Sequence, residues 1–290
     1  MSLVLNPATT ALLLGLFSAV TLAAANVSVK AGSDILASRA LLQASAALLI
    51  MPAAFLVPVP DAATWSALAW AVPVHFLYQL ALIGALKHGD LSLVFPVMRG
   101  SAPLLTGFAA WGLLGERLTP AGLFGLMLAS AAVIAFAWPP RGRRLAAHPD
   151  RRALVFAALT AIGIAGYNVT DARGVRIAPE PATFIVWLFM FDCLGTGTVA
   201  LIRRRGQVRA LIAAKWRYGL VGAVLSILSY GAALIAFTLV EAAKVSAVRE
   251  TSVVFAALMG AYLLKETVGL RRLAAALVLA AGLAILQFAG

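Results

Sequence analysis

Apolar residues in this chain come in runs of about twenty, one after another, from one end to the other. A helix needs roughly 20 such residues to cross the hydrocarbon of a bilayer. By that measure the sequence predicts ten membrane-spanning segments, at about 9–29, 38–57, 65–86, 91–114, 120–138, 153–171, 182–202, 218–238, 243–264 and 270–288. These use most of the 290 residues, so only short connections remain and no separate soluble domain is expected. Strands of an outer-membrane barrel would be ~10 residues long and would alternate apolar with polar. Segments such as 274–286 are continuously apolar, which favours helices, whose backbone groups are satisfied within the segment.

Composition agrees. Apolar residues make up 62% of the chain and charged residues 12%, and mean hydropathy is +0.97. Those values exclude an ordinary soluble enzyme, a disordered chain and a disulfide scaffold. The formal net charge of +12 is better explained by a bilayer than by nucleic acid, because cytoplasmic loops collect Lys and Arg. Seventeen of the 23 cations fall on odd-numbered connections and four on even-numbered ones, with Arg99 and Arg249 inside spans. The strongest basic loops are Arg141 through Arg152 and Arg203 through Arg217. The positive-inside rule then places both in the cytoplasm and both termini in the periplasm of a bacterial inner membrane. Lys30, the first cation, follows the first apolar run, so a secretory signal with a basic start is not expected and that run reads as a true span. Cys193, the one cysteine, can form no internal disulfide.

The chain resembles itself at an offset of about 142 to 150 residues. Asn26-Val27-Ser28 precedes Gly32 as Asn168-Val169-Thr170 precedes Gly174. Arg99 lies seventeen residues before Glu116, with Leu113-Leu114 between, and Arg249 lies seventeen before Glu266, with Leu263-Leu264 between. The unit is about five spans. An odd number of crossings turns the second copy upside down, which is the inverted repeat of secondary transporters. The expected organisation is a first five-helix repeat over 1–140, a basic cytoplasmic linker over 141–152 and a second five-helix repeat over 153–290. The expected fold is therefore all-α and integral to the membrane, with ten transmembrane helices as two inverted five-helix repeats around a central cavity.

Several segments carry a family resemblance. They are Asp90-Leu91-Ser92-Leu93-Val94-Phe95-Pro96-Val97-Met98-Arg99-Gly100-Ser101-Ala102-Pro103 and Leu114-Gly115-Glu116-Arg117-Leu118, with second-copy partners Val248-Arg249-Glu250-Thr251-Ser252 and Leu264-Lys265-Glu266. On these residues the chain resembles the EamA-type members of the drug/metabolite transporter superfamily over essentially its whole length. The resemblance implies a secondary transporter of small metabolites, often an exporter. It does not name the substrate. Many relatives look cytoplasmic at the amino terminus, whereas the charges here argue the reverse.

An ionisable group at mid-bilayer costs at least ~2.5 kcal/mol, so it normally faces a cavity or a partner. Arg99 shares a face with Pro96, Pro103 and Thr106, and Arg249 with Ser252, Ala256 and Gly260. A guanidinium suits a carboxylate or phosphate. Two readings stand for each: contact with an anionic substrate group, or an internal or gating ion pair, for Arg99 with Glu250 or Asp171. Asp171, Asp192 and Glu250 are the acidic residues within spans; they are expected either to carry a coupled proton or to serve as counter-ions. His75, Tyr78 and Gln79 fall on one helical face and suit a cavity wall. Asn26 and Asn168 either line the pathway or bond neighbouring helices. Ser226, Ser229 and Tyr230 complete the candidate lining, with Trp187 the one tryptophan considered for a ligand role. Glu116 and Glu266 are expected to organise the turns into spans five and ten.

Three histidines and one cysteine show no metal-ligand spacing, and no Walker loop is present. Neither a metal, a cofactor nor ATP is expected, nor is nucleic acid a partner. The function this supports is alternating-access transport of small metabolites, most simply export of amino acids or other carboxylate-bearing solutes. Proton coupling is possible, and the protein is expected to be a monomer or homodimer in the lipid bilayer. The rival class is an intramembrane enzyme acting on a lipid-linked substrate, which would want an acidic metal cluster or a nucleophile with its base near one face. A passive channel would want rings of like groups.

Overall fold

A backbone inside lipid must satisfy its own hydrogen bonds, and no strand occurs among the described residues. The computed structural model describes residues 6–30, 34–89, 91–138, 151–264 and 269–289. Most of the expected linker, with Lys265 and Glu266, lies outside the described residues. The side chains of 26–30, 91–93, 95–96 and 260–264, which include Asn26, Pro96 and Gly260, also lie outside them.

The helices are α1 (Pro7–Lys30), α2 (Ile35–Ile50, continued by a 3-10 turn Met51–Phe55), α3 (Ala62–His88), α4 (Leu91–Leu114), α5 (Pro120–Ala137), α6 (Arg151–Ile177), α7 (Pro181–Arg203), α8 (Val208–Phe237), α9 (Ala242–Arg249), α10 (Ser252–Leu264) and α11 (Leu270–Phe288). Among the described residues, eight stretches are long and apolar enough to cross a membrane. The 24-residue α4 and the α9–α10 pair supply the remaining two of the ten expected.

The ninth span differs from expectation. It is two helices parted at Glu250 and Thr251. The amide of Glu250 donates to Ala247 O and that of Thr251 to Val248 O, each at 3.1 Å. These three-residue turns are tighter than an α-helix. Broken helices of this kind are tolerated at membrane depth where they are buried in protein or line a cavity.

Local chemistry sets the helix starts. The side chain of Asp34 accepts from Ala37 N (3.2 Å), that of Asp61 from Thr64 N (2.8 Å) and that of Thr119 from Gly122 N (3.0 Å). Each satisfies a first-turn donor the helix cannot. Pro120 and Pro181 open α5 and α7, where the missing amide costs nothing.

α3 runs along α6, α8 along α1, and α5 along α11, while α2 packs on both α7 and α8 and α4 on α6. Small residues let these backbones approach. A Cβ on Gly125 would stand 2.6 Å from Leu286 N, and one on Gly282 2.7 Å from Ala129 N, so α5 and α11 touch backbone to backbone. Large apolar side chains such as Phe17, Trp70, Leu77, Phe108 and Leu277 point outward. Polar residues such as Ser18, His75, Asn168, Asp171, Arg249 and Glu250 are buried. Apolar outside and polar inside suits a hydrocarbon solvent.

The two ends of the bundle can be told apart. At the terminal end Gln287 donates to Ala8 O (2.9 Å) and Thr119 to Ala289 O (2.7 Å). At the opposite end Arg204 Nε donates to Asp34 Oδ2 (2.6 Å) and Arg271 to Trp138 O.

Candidate functional site

Where the helices converge they leave a cavity of about 140 Å³. It is smaller than the ~300–1,000 Å³ of drug-sized pockets and suits a small solute. Its walls are Leu22 and Ala25 from α1; Arg39, Leu42 and Gln43 from α2; His75, Tyr78 and Gln79 from α3; Arg99 from α4; and Tyr167 from α6. Phe189 and Asp192 from α7, Ser226, Ser229 and Tyr230 from α8, and Arg249 from α9 close it.

One group of contacts centres on His75. Its Nε2 lies 2.7 Å from Asp171 Oδ2, and the Tyr230 hydroxyl donates to the same oxygen. Its other nitrogen, Nδ1, lies 3.6 Å from Asp192 Oδ1. One imidazole therefore stands between two carboxylates, from α6 and α7. Asp171 is fully buried. A charge with so little access to water is tolerable only because its partners are in place.

A second group holds Asp192. Gln43 Nε2 donates to Asp192 Oδ2 at 2.6 Å, and Thr196 in turn donates to Gln43 Oε1. One turn before Gln43 on α2, Arg39 Nη1 donates to Gln79 Oε1 (3.1 Å).

A third group lies at the helix break. Arg99 Nη1 stands 3.4 Å from Glu250 Oε1. Arg249, next in sequence to Glu250, turns the other way: its Nε donates to Ser18 Oγ (3.1 Å) and its guanidinium lies over the Tyr230 ring, 4.9 Å from the centroid. Cation–π attraction of this kind is strongest when water is excluded. The rings of Tyr78, Tyr167 and Tyr230 adjoin, with centroids 4.9 Å and 5.9 Å apart.

Of the residues expected from sequence to form a site, His75, Tyr78, Gln79, Arg99, Asp192, Ser226, Tyr230 and Arg249 are brought to the cavity wall. Asp171 and Glu250 stand behind it as partners of His75 and Arg99. Asn168 is buried at a helix junction, where its Nδ2 donates to Thr106 and Ser246, both at 3.1 Å. Trp187 packs edge-on against Trp65, with centroids 5.1 Å apart, and is not among the lining residues.

Arg39 and Gln43 are among the lining residues that sequence reasoning missed. Arg39 lies near the start of the expected span 38–57 and sits one turn inside α2. Gln43 follows it at i+4. That spacing within an apolar run was the signal available.

Glu116 was expected to organise its own turn, and the structure gives it a longer reach. Gly115, at φ 70°, turns the chain so that Glu116 N–H folds back to Ala110 O (3.2 Å). The carboxylate then spans two partners: Oε1 meets Arg176 Nη1 at 2.6 Å and Oε2 accepts from Ala242 N at 2.8 Å. Arg176 also donates to Phe237 O (2.7 Å) and Val240 O (2.9 Å).

Comparison with known proteins gives two findings. A family model described as the EamA-like transporter family matches residues 151–288. A solved structure, titled only as the crystal structure of a protein, superposes with a TM-score of 0.72 over 95% of this chain and 94% of that one, at 19% identity; that likeness concerns the fold. No curated protein matches the chain.

Proposed function

We propose that this multi-pass membrane protein, which matches a model of the EamA-like transporter family over residues 151–288, is a secondary active exporter of amino acids or other carboxylate-bearing metabolites. The observation that carries this is the cavity itself. Three guanidinium groups, those of Arg39, Arg99 and Arg249, reach one small chamber inside the bundle. Guanidinium donors match a carboxylate in both charge and geometry. Burying three of them in lipid is costly unless an anion or an acidic partner is met there.

Alternating access is supported by how the helices pair. α3 on α6 corresponds to α8 on α1 when the two halves are exchanged, and the α2–α7 and α5–α11 pairs exchange onto themselves. That is the pattern expected of inverted five-helix repeats, in which two equivalent halves rock about a fixed site. The imidazole between Asp171 and Asp192 supports a proton as the coupled ion, since one proton at that place changes the charge beside the cavity. The basic loops favour a bacterial inner membrane with periplasmic termini.

The test is counterflow in proteoliposomes. Vesicles pre-loaded with unlabelled amino acid should take up labelled amino acid faster than empty ones, and an imposed proton gradient should drive accumulation. Uptake without acceleration would point to a channel, and conversion of the solute to an enzyme; either would overturn the proposal.

A further inference from the structure

We infer that the cavity recognises a zwitterion by its two ends, with Arg39 as anchor for the carboxylate and Asp192 as anchor for the ammonium group. This rests on the transporter reading above and deepens it.

The three cavity guanidiniums are not equivalent. Arg99 faces Glu250 at 3.4 Å. Arg249 is held by Ser18 and by the Tyr230 ring. Arg39 is different: the bond it makes is to a neutral amide oxygen, that of Gln79, and its Nε is buried with no hydrogen-bond partner. A buried donor left unmatched carries a desolvation penalty. A carboxylate arriving beside Arg39 would satisfy it with a charge-assisted pair.

Asp192 shows the complementary feature. Gln43 fixes one of its oxygens at 2.6 Å, and Gln43 is itself fixed by Thr196. The other oxygen, Oδ1, is buried and has no hydrogen-bond partner; the nearest cationic candidate, His75 Nδ1, stands at 3.6 Å, beyond bonding distance. A carboxylate clamped on one side, with no hydrogen bond to its other oxygen, is a ready acceptor for an ammonium group. Arg39 and Gln43 are one turn apart on α2, so the carboxylate anchor and the residue that aims the ammonium anchor share one rigid face. A donor and an acceptor on the wall of one chamber of about 140 Å³ select a small dipolar solute over a simple anion.

The experiment measures binding to purified full-length protein by calorimetry. The probes are common L-amino acids, each as the free acid, the N-acetyl derivative and the carboxamide. In the wild type the free form should bind about ten- to a hundredfold more tightly than either derivative, the range of a charge-assisted contact at each end. Arg39→Gln should abolish the preference for acid over amide and keep the preference for free over acetylated amine. Asp192→Asn should do the reverse. Arg39→Lys should retain part of the acid preference, which separates lost charge from a misfolded variant, and the wild-type comparison needs no variant. If carboxylates bind and N-acetylation costs nothing, this inference falls and the transporter reading stands. If the acid preference survives Arg39→Gln, the anchor is misassigned. If no carboxylate-bearing probe binds the wild type, both readings fall.

Discussion

Arg176 and Glu116 meet at the terminal end of the bundle, with Nη1 2.6 Å from Oε1. Through them α4, α6 and the α8–α9 connection are tied together, because Arg176 also reaches Phe237 O and Val240 O while Glu116 caps Ala242 N. At the repeat offset, position 176 corresponds to Asp34 and position 116 to Glu266. In the proposed repeat those counterparts are both acidic, and Asp34 meets Arg204 instead. The latch of Arg176 and Glu116 is expected to hold the terminal end closed. Arg176→Gln should therefore expose that end. Losing a charge-assisted bond of ~2 kcal/mol corresponds to about a 30-fold change in an equilibrium. With Cys193 replaced by serine, a cysteine at Ala11, buried in the wild type, should react slowly with an impermeant maleimide, and much faster when Arg176→Gln is added. Equal rates would show that the pair does not hold this end shut.

The close crossing of α5 and α11 makes a second prediction. Atoms meeting a Cβ at Gly125 or Gly282 belong to backbone, Leu286 N and Gly282 O in the first case and Ala129 N and Gly125 O in the second. Backbone cannot rotate aside as a side chain would. Gly125→Ala and Gly282→Ala should each cost roughly 1–3 kcal/mol by overpacking, read as a lowered melting temperature in detergent. Gly112, with nothing within 4 Å of its Cβ, should accept alanine without loss.

The ladder of long apolar runs made the helical membrane fold legible, because length and continuity alone answer the bilayer's demand. Arg99 and Arg249 were legible as buried charges for the same reason, and the Arg99–Glu250 pair was one of two partners weighed. The pairing of His75 with Asp171 was not legible. They lie 96 residues apart, and nothing in periodicity says which helix faces which. Arg39 was not legible as a lining residue because a cation at the edge of an apolar run looks the same whether it signals orientation or enters a cavity. The break at Glu250 was hidden because no glycine or proline marks it; around it Glu250 meets Arg99 while Arg249 meets Ser18 and Tyr230.

At the opposite end, Asp34 gives a pH-dependent prediction. The Arg204 guanidinium beside Asp34 holds its carboxyl below the ordinary value of 3.8, and the Ala37 amide adds to that against the opposing effect of burial. A carboxyl whose folded-state pKa is depressed contributes stability that is present above the ordinary value and is lost as the pH falls through the depressed one. Asparagine keeps the helix cap and removes the charge. Asp34→Asn should therefore melt slightly below the wild type at neutral pH, with the two curves merging as the pH falls below 3.8. A gap that persists in acid would mean that the cap, and not the ion pair, had been disturbed.

The last prediction concerns Arg99 and Glu250, whose side chains are 12% and 3% exposed. Removing one partner of a buried pair strands the other charge, and such losses run to about 3–5 kcal/mol. Removing both leaves no stranded charge, and neutral groups of similar shape often cost little. Arg99→Met and Glu250→Gln should each lower the melting temperature well below that of the wild type, while the double variant should recover most of the loss. The coupling energy of that cycle isolates the pair from whatever else each residue touches. Losses that simply add in the double variant would show that the two charges do not depend on each other, and the broken ninth span would then need a different account of how it shelters Glu250.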